Sequence, residues 1–245
     1  MTETVSASPR ALGVIPARGG SKRLPRKNVL PVAGHPLIAH TIMAAQKARL
    51  LTDWLVTSED DEIIAVARQY GAPVPFKRPA ELAGDEVRNI DTVRHALAFM
   101  EGSTGAPYDM VVLLQPTCPI RDPAHIDEAV RRLWTSGMDT LASVKGPHRK
   151  RDPILKALRD GVLEPYCRGE ADGAEVEPFY LYNASIYAAK RDYFLREGRL
   201  ISRRQVPLVM DRFHSADVDE MADVVLVEAY FAHLAQQTSP KGGSA

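Results

Sequence analysis

Short runs that are apolar at every position alternate along the chain with longer stretches whose apolar residues recur every three or four positions. Ala11 to Ile15, closed by Pro16, reads as a buried strand, as do Trp54 to Thr57 and Met110 to Leu114. Leu141 to Val144 and Ser185 to Ala188 are further strand candidates. Between them, Pro36 to Ala48 carries Leu37, Ile38, Thr41, Ile42 and Ala45 at helical spacing. Asp61 to Tyr70 is a predicted helix with Ser58 as its N-cap and Gly71 as its stop. Ile90 to Met100, Pro123 to Trp134 and Met221 to Leu234 complete the predicted helices. A strand without polar alternation is buried on both faces, so the pattern predicts an α/β fold, a mostly parallel sheet with helices on both sides. Ligands in such sheets sit beyond the carboxyl ends of the strands, which directs attention to the loops after Ile15, Thr57 and Leu114.

The 245 residues suit one large domain, taken as 10–236, with 237–245 expected as a disordered tail. Residues 146–183 break the alternation with charge, Pro and Gly, and are long for a connection, which predicts a small lobe, lid or dimer arm. Hydrophobic residues make up 45% and charged residues 25% of the chain, an ordinary globular mix. No apolar run approaches the roughly 20 residues of a membrane span, and Met1 to Pro9 has no signal-peptide pattern. Cys118 and Cys167 form neither a disulfide framework nor a four-ligand zinc site. His35, His95 and His214 lack metal-ligand spacing and read as satisfied or surface residues. A cytoplasmic enzyme or binding domain is expected, with no membrane and no nucleic-acid partner.

Charge changes this picture locally. The net charge is zero, yet there is no acidic residue between Glu3 and Asp53, an interval holding Arg10, Arg18, Lys22, Arg23, Arg26, Lys27, Lys47 and Arg49. Acid gathers late, at Asp211, Asp217, Asp219, Glu220 and Asp223. Such a separation suits a polyanionic ligand and its metal, or a merely solvated face. No aromatic platform interleaves the cations, which disfavours a nucleic-acid groove.

The decisive stretch is Pro-Ala-Arg-Gly-Gly-Ser-Lys-Arg-Leu-Pro-Arg-Lys-Asn from Pro16 to Asn28, directly after the first strand. Gly19 and Gly20 are expected to take positive φ and to let the backbone approach a ligand. Successive backbone N–H groups there would cradle anionic oxygens, with Arg18, Lys22 and Lys27 adding full charges. Neither Gly-x-x-x-x-Gly-Lys-Ser/Thr nor Gly-x-Gly-x-x-Gly occurs, against a P-loop NTPase and a dinucleotide dehydrogenase.

This stretch resembles the N-terminal signature of the acylneuraminate cytidylyltransferase (CMP-sialic acid synthetase) family of sugar-activating nucleotidyltransferases. Arg78-Pro-Ala-Glu-Leu-Ala-Gly-Asp85, Leu114-Gln-Pro-Thr-Cys-Pro-Ile-Arg121 and Asp217-Val-Asp219 resemble further family motifs, in the family's order. The resemblance implies a Rossmann-like nucleotide-diphospho-sugar transferase sheet with a small dimerisation or lid lobe. It implies condensation of CTP with a nonulosonic 2-keto sugar acid, giving a CMP-sugar and pyrophosphate, by a homodimer using Mg²⁺. Arg18, Lys27 and Asp217 would then be catalytic. Arg18, Gly19, Gly20, Ser21, Lys22, Lys27, Asn28, Arg78, Asn89 and Gln115 would bind the nucleotide. Gln115, Lys156, Arg168 and Asn183 would face the sugar, and Asp217 and Asp219 would hold the metal.

On an extended segment the last two carboxylates point to one side, as a Mg²⁺ pair would, although Asp219 could instead cap the final helix. Gln115 and Asn89 could equally serve turn or helix-cap chemistry. The chain departs from the family around Asn183 and Tyr187, where the arginine that precedes the asparagine is absent, and after Gly84, where serines are replaced. Three alternatives therefore stand beside the main reading. They are an eight-carbon ulosonic acid as acceptor, GTP in place of CTP, and a degenerate sugar-nucleotide-binding protein without turnover.

Overall fold

A computed structural model describes residues 8–148, 156–159, 161–165 and 179–238. Its frame is one six-stranded sheet. In chain order the strands are β1 (Ala11–Pro16), the two-residue pair β2 (Pro31–Val32) and β3 (His35–Pro36), β4 (Asp53–Thr57), β5 (Met110–Leu114), β6 (Thr140–His148), β7 (Lys156–Arg159), β8 (Val162–Pro165), β9 (Phe179–Lys190) and β10 (Val206–Met210). The helices are α1 (Leu37–Lys47), α2 (Asp61–Gln69), α3 (Asn89–Thr104), α4 (Pro123–Thr135), α5 (Arg191–Glu197) and α6 (Met221–Thr238). The main sheet has the order β10-β6-β9-β5-β1-β4. β1 runs parallel to both β4 and β5, and β6 parallel to β10, while β9 is antiparallel to both its neighbours. The mostly parallel α/β expectation holds.

Period-two alternation divides each buried strand between two cores. On one face Ala11, Ile15, Met110, Val112 and Leu114 pack under Ile38 and Ile42 of α1, Ile63 of α2, and Ile126 and Leu133 of α4. On the other, Leu12, Val14, Val111 and Leu113 meet Val93 and Leu97 of α3 and Phe194 of α5. A third cluster seats α6, through Val224 and Val227, on Leu24, Val32, Leu37 and Ile120. Thus the two loops after β1 and β5 are clamped together by the last helix.

Local chemistry explains where the elements start. α4 begins at Asp122, whose carboxylate accepts from Ala124 N–H at 2.7 Å, with His125 closing the box from its ring and Pro123 at the first helical position. For α2 the predicted Ser58 is not the cap. Asp60 is, accepting from Ile63 N–H at 3.0 Å, while Ser58 Oγ accepts from Asp60 N–H one turn earlier. A carboxylate placed two residues nearer the helix wins because it also neutralises the first turn. α5 and β10 were not anticipated from the pattern, being short and half exposed. β9 is three times longer than the four residues predicted, and its early part lies in the stretch expected to be an irregular lobe. The hairpin β7–β8 lies in that stretch as well. Residues 149–155, 160, 166–178 and 239–245 fall outside the described residues.

Candidate active site

A cavity of about 310 Å³ opens at the carboxyl ends of β1 and β5. One wall is the loop after β1, with Arg18, Ser21, Lys27 and Asn28; another is the segment from Arg78 to Thr92; the floor is Gln115 to Thr117. Arg18, Ser21, Lys27, Asn28, Arg78, Asn89 and Gln115, all nucleotide candidates from the sequence, line this single space.

The loop after β1 is built by carboxylates that arrive from elsewhere. Glu59, two residues beyond β4, accepts from Gly19 N–H at 2.8 Å and from the Arg78 guanidinium at 2.5 Å. Arg78 also donates to Ala17 C=O at 2.7 Å. The buried Arg78 is therefore a strut that ties three segments together, more than a free hand for a nucleotide. Asp60 takes Arg26 in a two-pronged pair of 2.6 and 3.0 Å, and Glu62 joins from the start of α2. The Arg26 partnership holds the Asp60 carboxyl well below the usual range, at about 2. Asn28 donates to Arg18 C=O at 3.0 Å and so shapes the loop from inside.

The expected positive φ at Gly19 and Gly20 is not found; the left-handed residue of this loop is Arg26, with φ 58°. Gly19 is needed for a different reason, because a Cβ there would stand 2.4 Å from Asp60 Oδ2. Gly20 has open space around it.

The free-acting cations are not bare. Arg18 and Lys22 share the carboxylate of Asp85, at 2.9 and 2.7 Å. Lys27 reaches Val218 C=O at 2.8 Å and Asp219 at 2.9 Å, and Arg23 holds the other oxygen of Asp219 at 3.0 Å. The sequence-level charge separation is thus cancelled across the fold: acids distant along the chain close onto the basic loop.

Asp217 and Asp219 experience opposite surroundings. Desolvation raises the Asp217 carboxyl above its ordinary range, and the neighbouring negative charge of Asp219 adds to it. Lys27 lowers Asp219 by hydrogen bonding to its charged form. Among the described residues no group of three or more His, Cys, Asp or Glu side chains could hold a metal ion.

Beyond Gln115 the turn is fixed by Arg121, which is only 6% exposed. Its guanidinium donates to Ser185 Oγ (3.1 Å), Thr41 Oγ1 (3.1 Å), Gln115 C=O (3.0 Å) and Ser185 C=O (2.5 Å). Burial lowers its pKa to about 10. Among the described residues it has no carboxylate partner.

Asn183 is not among the residues that line the cavity. It is 4% exposed, its carbonyl oxygen accepts from Ser143 Oγ and Ser185 N–H, and its amide donates to Ser215 Oγ. The β6–β9 ladder slips its register beside Ser143, and Ala184 turns to φ 60°, so this amide fills the gap a bulge leaves. Cys118 Sγ donates to the backbone carbonyl of the same residue at 3.3 Å. The Lys156 side chain, Arg168 and Cys167 lie outside the described residues. His35 is exposed and bonds Tyr70 Oη, and His214 pairs with Asp211, as surface histidines do. His95 differs, since its Nδ1 is buried with no partner among the described residues.

Glu59, Asp60, Asp85 and Arg121 were not singled out from the sequence as organisers of the site. For Glu59 and Asp60 the signal was positional, an acidic run directly after β4, the strand that neighbours β1; Asp85 and Arg121 are the last residues of two of the motifs that resemble the family's.

The family model described as "Cytidylyltransferase" matches residues 12–192. The chain belongs to the cytidylyltransferase family. It is 34% identical over 238 residues to the CMP-N,N'-diacetyllegionaminic acid synthase of Legionella pneumophila, covering 89% of this chain and 95% of that protein. It is 31% identical to the N-acylneuraminate cytidylyltransferase of Escherichia coli, over 89% of this chain and 51% of that longer protein. A solved CMP:2-keto-3-deoxy-manno-octonic acid synthetase complexed with CTP superposes with a TM-score of 0.65 at 19% identity, over 92% of this chain and 99% of that one. That last likeness is one of fold, and it confirms the Rossmann-like nucleotidyltransferase architecture. A cytidylyltransferase is a nucleotidyl-transferring enzyme, so the degenerate-protein alternative is not favoured.

Proposed function

We propose that the chain condenses CTP with a nonulosonic, sialic-acid-like 2-keto sugar acid, releasing pyrophosphate and a CMP-sugar. One observation carries this reading: the cations after β1 and the amides of Asn89 and Gln115 surround a single cavity at the carboxyl ends of the strands. The cations would take the phosphate tail. The amides, each offering a donor and an acceptor, would take base, ribose or sugar edges. Among relatives, a legionaminic acid synthase matched over nearly its full length supports a nine-carbon acceptor over an eight-carbon one.

In this reading the anomeric hydroxyl attacks the α-phosphorus in line. The bond to the α,β-bridging oxygen breaks, and the electron pair leaves on pyrophosphate. Arg18, Lys22 and Lys27 would stabilise the charge that grows on the leaving group, which is where fixed cations accelerate phosphoryl transfer. Ser21 would present its hydroxyl to the same oxygens, while the Gly19 N–H stays with Glu59 and holds the loop in place. Gly20 would leave the approach open.

The Asp217 and Asp219 pair fits Mg²⁺. Both are hard oxygen donors, and an added positive charge would offset what burial and the neighbouring Asp219 cost an ionised Asp217. Mg²⁺ would supply that charge to phosphate oxygens, with the remaining coordination from phosphate and water. Asp217→Asn is expected to raise the Mg²⁺ needed for half-maximal rate at least ~10-fold, read by titrating metal against rate. An unchanged titration removes Asp217 from the metal.

A homodimer through residues 146–183 is supported by Tyr180, Leu181 and Tyr182, three consecutive exposed apolar residues at the start of β9. No described helix is long and apolar enough to cross a membrane. In this reading the reaction would run in the cytoplasm, where CTP is supplied. The deciding experiment is a matrix of the four nucleoside triphosphates against eight- and nine-carbon ulosonic acids, read by pyrophosphate release. Release with CTP and a nine-carbon acid is the expected result. Release only with another base or an eight-carbon acid would replace this reading.

A further inference from the structure

Asp85 stands in the part of the cavity where the site's positive charge converges. Its two carboxylate oxygens are divided between Arg18 and Lys22, at 2.9 and 2.7 Å, and Arg18 also donates to Gly84 C=O at 3.4 Å. The short segment 82–88 is thereby drawn down onto the basic loop, and Leu82, Gly84 and Val87 close that side of the cavity. A carboxylate that bridges two cations with its two oxygens presents what one edge of a phosphate presents.

We propose that Asp85 is a resident anion occupying the place of the phosphate tail, which nucleotide must displace on entry and which returns to help pyrophosphate leave. The inference rests on the reading that this cavity takes a nucleoside triphosphate.

The energetics suit an exchange and not a permanent tie. Arg18 and Asp85 are 40% and 42% exposed and Lys22 is 77% exposed, so each pair is screened by water and weak. By contrast Arg26 and Arg78, which brace the same loop, each hold one largely buried carboxylate, Asp60 and Glu59 respectively. Of these pairs, Arg18 and Asp85 line the cavity while remaining open to water, whereas Arg78, which lines it too, is held by the largely buried Glu59. A tail of two or three phosphates carries several charges against the single charge of Asp85, and so wins the same two cations. Once the tail is reduced to pyrophosphate, a carboxylate tethered a few ångströms away competes at high effective concentration for those cations. Glu86 is exposed beside it and makes no ion pair among the described residues, so only one of the two neighbouring acids is engaged.

The test is calorimetric titration of inorganic pyrophosphate, in EDTA to exclude metal, into the full chain and its Asp85→Asn and Glu86→Gln variants. The KM for CTP is measured in parallel with Mg²⁺. Asp85→Asn is expected to bind pyrophosphate about three- to tenfold more tightly and to lower the KM for CTP, with stronger product inhibition. Glu86→Gln, which removes the same charge next door, is expected to change either by less than about twofold. Unchanged or weaker pyrophosphate binding in Asp85→Asn overturns the proposal, as does an equal gain in Glu86→Gln. If the unmodified protein binds neither CTP nor pyrophosphate, the nucleotide reading itself falls. If it binds both and Asp85→Asn gains nothing, only the resident-anion idea falls.

Discussion

The loop after β1 and the turn after β5 lie on neighbouring parallel strands and share one cavity, yet they hold their positive charge in opposite ways. Around the first loop, Arg18, Lys22, Arg23 and Lys27 are paired with Asp85 and Asp219, carboxylates from other loops, and most of these groups remain open to water. Behind the second turn, Arg121 is buried against two hydroxyls and two carbonyls, without a carboxylate among the described residues. A cation paired to an exposed carboxylate can trade it for a phosphate at small cost. One enclosed by neutral acceptors cannot move without leaving them unpaired. Under the proposed function, the first set would serve the ligand and the second the shape of the turn.

Substitutions can break that comparison, beginning with the largest effect. Arg121→Met removes four hydrogen bonds at once and is expected to cost about 2–4 kcal/mol of stability. That corresponds to a melting point lower by about 5–15 °C, with activity falling in proportion to unfolding. A normal melting curve with lost activity would move Arg121 from shape to chemistry. Lys27→Ala and Arg18→Ala should show the reverse. Turnover is expected to drop ~100-fold or more, the scale seen when a preorganised charge-stabilising group is removed, while the melting point moves by only a few degrees. Thermal melts beside steady-state rates read both.

Within the first loop, Gly19→Ala forces a Cβ against Asp60 and is expected to cost about 1–3 kcal/mol. Gly20→Ala, which meets nothing, should stay within about 0.5 kcal/mol. Denaturant titration separates them, and equal costs would show that the pair of glycines matters for conformation after all. The smallest effect is in pH. Asp60 sits at about 2 in the folded state, below its unfolded value of ~3.9. Its contribution is therefore full above about pH 4 and lost as pH falls toward 2. Asp60→Asn should flatten that part of the stability profile, and an unaltered acid limb would mean that the Arg26 pairing stabilises nothing.

The strands β1, β4 and β5 and the helices between them were legible because burial on both faces writes itself as unbroken apolar runs. β10 and α5 were not legible, because a short, half-exposed element leaves little periodicity to detect. The beginning of β9 was hidden for a related reason: Tyr180, Leu181 and Tyr182 are apolar but exposed, so they follow no core-facing rhythm.

The same division holds for the site. From sequence alone the basic, glycine-bearing loop after the first strand could be picked out, because residue type and position after a strand already constrain the chemistry; Asn89, Gln115 and the late aspartate pair were picked out through the resemblance to the family's motifs. Tertiary structure decided which charge meets which. Glu59 on Gly19 and Arg78, Asp85 on Arg18 and Lys22, and Asp219 on Lys27 join residues separated by 19 to 192 positions. It also placed Asn183, expected at the sugar, in a buried hydrogen-bonded position beside a bulge. Pairings of that kind depend on strand order and register, which bring together loops whose separation along the chain carries no trace of their neighbourhood.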